Sequence, residues 1–181
     1  MVKNILILFF VLIVIGGGVY YFLNKNQTAT DTNEQKMEGV PLDDEMIIEV
    51  DEKDVASMMG MTYQYVGELI DVTKGEIRGI NTQGLTKGIA KSNFDGEQYL
   101  LLATFENLPE PAGDDFYEGW IVQLDPFMFL STGIVKKVDG VYTNVYKSGE
   151  DLTNYNFYVL TIEPNDGDPA PADHIVEGAM Q

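Results

Sequence analysis

Two kinds of apolar patterning divide the chain. From Ile5 to Leu23 the sequence reads ILILFFVLIVIGGGVYYFL, 19 residues without a charge. From Tyr63 onward, apolar residues come in short runs broken by Gly, Pro, Asp and Asn. The first pattern predicts a membrane-spanning helix and the second a series of strands. Between them, Asn24–Gly39 is polar and has no period.

A helix rises ~1.5 Å per residue, so Ile5–Leu23 spans roughly 28 Å, close to the ~30 Å core of a bilayer. Tyr20 and Tyr21 sit near one end, where aromatic rings favour the headgroup layer. Gly16, Gly17 and Gly18 form helices poorly, but hydrocarbon compels backbone pairing. A cleaved signal peptide is the rival reading, with Lys3 as n-region and Ile5–Ile15 as h-region. The apolar run continues through Val19–Leu23, and no A-x-A pattern follows it, which favours a retained anchor. Met1–Asn4 are then a short cytoplasmic tail, and everything after Leu23 is extracytoplasmic.

The linker covers residues 24–60. It holds an Asn26-Gln27-Thr28 sequon, a possible short strand at Met46–Val50, and one or two amphipathic turns over Asp51–Met59. A coil of this length has an r.m.s. span of roughly 30–36 Å, which holds the following domain clear of the membrane.

Residues 61–181 are expected to form one domain of about 120 residues, enough for an independent core. Strands are predicted at Tyr63–Leu69, Lys87–Phe94, Tyr99–Phe105, Phe116–Leu124, Phe127–Val135, Val141–Tyr146, Phe157–Ile162 and Ile175–Met180. Asp95-Gly96 and Asp139-Gly140 mark turns. Glu150–Tyr155 reads as one helical turn at most. The fold class is all-β, an antiparallel β-sandwich of immunoglobulin-like or Greek-key type behind one N-terminal transmembrane helix.

Composition narrows the function. Acidic residues number 29 and basic ones 11, for a net charge of −18, and Arg78 is the single arginine. Such a chain lacks the cationic surface that phosphate backbones need, so nucleic acid is excluded as a partner. With no Cys, disulfides, thiolate metal sites and cysteine catalysis are absent. His174 is the single histidine. It lies beside Asp173, and none of Ser57, Ser92, Ser131 or Ser148 sits in a G-x-S-x-G elbow. The chain therefore reads as no enzyme, with no catalytic residue, cofactor or metal.

Asn165-Asp166-Gly167-Asp168 shares letters with a calcium loop but lacks its order and its distant Glu, so a polar turn is expected. Asp114-Asp115 reads as a solvated loop. Glu163 ends a strand before Pro164. Its carboxylate either accepts N–H groups from the Asn165–Asp168 turn, as a latch with a lowered pKa, or is a plain exposed strand-end acid. Phe116, Tyr117 and Trp120 form an aromatic cluster expected in the core.

Several strings also resemble a known family: Phe116-Tyr117-Glu118-Gly119-Trp120-Ile121-Val122, Ser131-Thr132-Gly133, Thr161-Ile162-Glu163-Pro164, Gly167-Asp168-Pro169-Ala170-Pro171 and Ile175-Val176-Glu177-Gly178. In this order they are similar to the C-terminal extracytoplasmic domain of anti-sigma-K factors, over roughly Leu85–Met180. The resemblance singles out Tyr117, Trp120, Glu163, Pro164, Gly167, Pro169 and Pro171 as structural motif residues. It implies a β-sandwich outside the membrane whose regulated loss releases a sigma factor. The family's cytoplasmic sigma-binding domain and His-x-x-x-Cys-x-x-Cys motif have no counterpart here. The expected role is therefore a sensory or regulatory module acting through another membrane or envelope protein. The alternative is a cell-surface binding or structural domain unrelated to sigma factors.

Overall fold

Alternation and turn chemistry build a sheet of nine strands. The structure, a computed structural model, describes Val11–Ile15, Gly18–Phe22 and residues 52–181. A short helix, α1 (Glu52–Met59), leads into β3 (Tyr65–Asp71). The strands that follow are β6 (Lys87–Phe94), β7 (Tyr99–Glu106), β8 (Phe116–Leu124), β9 (Phe127–Ile134), β10 (Lys136–Val138), β11 (Val141–Ser148), β12 (Phe157–Glu163) and β13 (Asp173–Ala179). β4 (Glu76–Ile77) and β5 (Ile80–Asn81) form a separate small hairpin turned by Arg78-Gly79. Every neighbouring pair is antiparallel, in the order β10-β11-β7-β6-β3-β13-β12-β8-β9. The β6–β7 turn is held by Asp95, whose Oδ1 accepts the N–H groups of Glu97 (2.9 Å) and Gln98 (2.8 Å).

Strands β7, β8 and β12 are apolar on both faces, and both faces are covered. On β7, Tyr99, Leu101, Ala103 and Phe105 line the main core, while Leu100 and Leu102 lie under Met58 of α1 on the other face. On β12, Tyr158, Leu160 and Ile162 join the main core, while Val159 packs outside with Trp120, Val122 and Phe157. A strand buried on both sides reads as a continuous run, as these do.

The sheet is continuous, but its middle is thin. Strands β3 and β13 share only the pairs Val176↔Asp71 and Glu177↔Ile70, supplemented by a backbone bond from Val72 N to Ile175 O and, just past the end of β13, by reciprocal bonds between Val66 and Gln181. A Cβ on Gly67 or Gly178 would overlap the facing backbone of Ala179 or Glu68, so the two strands touch main chain to main chain. Side chains of β11 also reach β9, at the far end of the strand order. Asn144 Nδ2 donates to the carbonyls of Thr132 and Gly133, at 3.1 Å each. Its Oδ1 accepts from Thr132 Oγ1 (2.6 Å) and Tyr158 Oη (3.0 Å).

The all-β expectation holds, and each of the eight predicted strands is present within a few residues at its ends. Within Ile5–Leu23, β1 (Val11–Ile15) pairs antiparallel with β2 (Gly18–Phe22). No helix among the described residues is long and apolar enough to cross a membrane. Glu52–Met59 is a helix of two turns in which Val55 and Met58 are buried, but Met59, expected on the same side, is half-exposed. Glu150–Tyr155 stays within the single turn expected at most: Tyr155 N donates to Leu152 O, and Asp151 Oδ1 accepts from Thr153 N and Oγ1. The β4–β5 hairpin and β10 are too short for a periodicity to reveal. The proposed strand Met46–Val50 and the sequon at Asn26 lie outside the described residues.

Candidate functional site

Outward-facing residues of β8, β9 and β12 form one continuous surface. Register sets Glu118 opposite Thr161, Trp120 opposite Val159 and Val122 opposite both Phe157 and Phe129. Trp120 donates its indole N–H to Thr161 Oγ1 at 2.9 Å, and the Thr161 hydroxyl reaches Glu118 O at 3.3 Å. The indole is buried, and its polar handle is satisfied within the sheet. Phe129 meets it edge-on, with centroids 5.9 Å apart at 66°, and Phe127 follows at 6.0 Å from Phe129.

From Trp120 the surface opens to solvent. Leu124, Phe127, Phe129 and Ile134 on this face are 37–61% exposed, and Met128, on the other face of β9, is exposed as well. On a chain of net charge −18, an apolar strip of this kind stands out. The turn between the two strands is Asp125-Pro126, a cis peptide bond.

Two carboxylates lie on the same face beyond Trp120, away from the exposed Phe127 and Phe129. Glu118 Oε1 takes a short hydrogen bond from Ser131 Oγ, which itself accepts from Gly133 N at 3.0 Å. Burial pushes the Glu118 carboxyl above the usual range; the Ser131 bond opposes this, and the charge of Glu163 adds to it. Burial likewise raises Glu163, opposed by the N–H of Ala172, by Thr161 and by Arg78.

Glu163 is a latch, but not on the turn expected. Its two oxygens accept the single N–H of Ala172, at 2.9 and 3.1 Å, and so close the base of the whole 164–172 loop. Asp166 Oδ1 and Asp168 Oδ1 hold the Asn165–Asp168 turn themselves, accepting Asp168 N (2.9 Å) and Ala170 N (3.0 Å). The pKa direction is also the reverse of that expected, because one main-chain donor does not offset burial. Pro164 and Pro171 are half-buried at the loop base, and Gly167 and Pro169 are exposed at its tip.

The structure separates Tyr117 from Trp120. Tyr117 faces the main core, edge-on to Tyr142 at 5.6 Å, with its hydroxyl on Pro109 O. Trp120 packs on the opposite face in a smaller cluster. His174 lies within 3.1 Å of Glu177, not in a serine triad. Asp115 is not merely solvated: it holds Arg78 through two bonds, at 2.7 and 3.2 Å, and ties the β4–β5 hairpin to the β7–β8 loop. Among the described residues, no three His, Asp or Glu side chains converge as a metal site would require.

Sequence reading missed Glu118, Ser131, Asn144 and the exposure of Phe127 and Phe129. One signal was present. Gly119 interrupts an otherwise bulky strand, and such a glycine marks a close approach. A Cβ there would overlap Tyr158 Oη, Asn144 Oδ1 and Thr132 Oγ1. No protein-family model, curated protein or solved structure matches this chain.

Proposed function

We propose that this chain is a non-catalytic regulatory module, tethered through Ile5–Leu23 and displayed outside the membrane, that works by contact with an envelope protein. The observation that carries the reading is the apolar strip of Leu124, Phe127 and Phe129, exposed beside a buried Trp120 on an acidic chain. Fold alone does not assign a role, so the weight rests on this surface. The uncharged 19-residue run supports the tether, and the charge of the rest supports its standing off from anionic lipid.

The wings β10-β11-β7-β6-β3 and β13-β12-β8-β9 are read as the two layers of an immunoglobulin-like sandwich, joined along the thin β3–β13 line. The order of the Trp120 strand, the Glu163-Pro164 strand end and the closing β13 supports kinship with anti-sigma-K outer domains. On this reading the module controls sigma-factor release indirectly, through its membrane partner.

A photo-crosslinking residue placed at Phe127 of the full chain, in intact cells, tests the reading. The expected result is a discrete protein adduct from Phe127 and none from the same residue at Ile89, on the exposed part of β6. Sigma-dependent transcription should change when Phe127 and Phe129 are both replaced by Ser. Adducts only with lipid or wall polymer, or identical adducts from both positions, would overturn it. Adducts with a protein but unaltered transcription would favour a surface-binding domain unrelated to sigma factors.

A further inference from the structure

The two ends of the sheet are protected unequally. At one end, β10 is three residues long and carries Lys136 and Lys137, the usual defence of an exposed edge. At the other end, β9 is eight residues long, FMFLSTGI, without a charge. Its far half is occupied: Asn144 Nδ2 takes the carbonyls of Thr132 and Gly133. Its near half, Phe127–Leu130, is paired with β8 on one side. Among the described residues, no strand and no backbone hydrogen bond meets it on the other. Phe127, Met128 and Phe129 are exposed along this same stretch.

Resting on the surface proposed above, we infer that Phe127–Leu130 is a docking strand that adds an extended segment of the partner as a further antiparallel or parallel strand. Main-chain bonds would supply affinity, and alternate side chains would meet Phe127 and Phe129 on one face and Met128 on the other. Charge identifies the kind of segment. Asp125 lies in the turn that leads into β9, the neutral Asn154 and Asn156 line the same hollow as Leu124 and Asp125, and the chain carries a net charge of −18. A second copy would bring one strongly acidic chain against another. A segment alternating apolar residues with Lys or Arg complements both the uncharged strip and the acidic chain around it.

The full chain in detergent micelles is titrated with a labelled peptide of about ten residues alternating Val and Lys. The controls are its Val–Glu analogue and a version with alternate amides N-methylated. Saturable binding is expected for the Val–Lys peptide alone, weakening with salt. Met128→Lys, at an exposed position, should weaken it by at least about tenfold, while Ile89→Lys should leave it unchanged. Equal binding of the N-methylated peptide would reduce the effect to charge and overturn the docking strand. Absence of binding to any peptide, or equal loss in Ile89→Lys, would overturn it too. So would dimerisation abolished by Met128→Lys, because the edge would then belong to a second copy. If the Phe127 crosslink persists while every peptide fails, the strand mode falls and the interaction surface stands. If peptides bind but the crosslink is absent, the surface reading is what fails.

Discussion

Thr132 and Asn144 grip each other in both directions. The Thr132 hydroxyl donates to Asn144 Oδ1 at 2.6 Å, and Asn144 Nδ2 donates back to the Thr132 carbonyl at 3.1 Å. The pair joins β9 to β11 where no ladder does. Both residues are buried, so every lost bond leaves a polar atom without water.

Asn144→Leu is therefore expected to destabilise the domain by about 1–3 kcal/mol for each polar group left unsatisfied. Urea unfolding gives the value, and amide exchange gives its location. Protection should fall first in β9. An unchanged urea midpoint would mean that the wings hold together without this grip.

Gly119→Ala tests the same place from the opposite strand. The added methyl has no free volume among Tyr158, Asn144 and Thr132. A loss of about 1–3 kcal/mol is expected from overpacking. Gly75→Ala is the comparison: its φ of +95° strains an added side chain, but nothing lies within 4 Å.

Trp120→Ala should cost about 3–5 kcal/mol, the range for emptying a large aromatic site. Thr161→Val separates packing from polarity, because it keeps the shape and strands the buried indole N–H. A loss of about 1–3 kcal/mol is expected, read as a shift in melting temperature.

The carboxylates give a pH dependence with a definite sign. Burial raises both Glu118 and Glu163, so the folded chain binds these protons more tightly than the unfolded chain does. Their contribution favours the fold at low pH and is lost as pH rises from the ordinary Glu value, about 4.3, through the raised one. Glu118→Gln and Glu163→Gln should be no less stable than wild type at pH 7, because each amide keeps an acceptor oxygen. That relation should turn against the variants near pH 4.5. Glu163→Ala should instead lose stability at both pH values, since Ala172 N–H then lacks its acceptor. Urea midpoints across this range decide it; a Gln variant that is weakest at neutral pH would restore the lowered-pKa reading.

Strand positions were legible because alternation and turn residues are local. Phe116–Leu124 and Lys87–Phe94 match residue for residue. Which face each strand presents was harder to read. Trp120 and Tyr117 are three apart on a strand and so point to opposite sides, yet both are large, aromatic and buried, and composition cannot tell two cores apart. Glu163 was legible as a latch, but its partner depended on how the loop returned, and so did the sign of its titration. Asn144 was invisible, because a buried polar residue is explained only by partners that are distant in sequence.

Val66 and Gln181 exchange backbone bonds of 3.1 and 3.2 Å, and β3 lies between β6 and β13. The opening strand of the domain therefore needs its closing one. During synthesis β3 emerges early and pairs with β6, while its other edge waits until β13 has left the ribosome. A sheet centre completed by such a distant contact folds slowly and late. Any chain interrupted before β13 presents a bare interior edge, a natural target for chaperones and proteases.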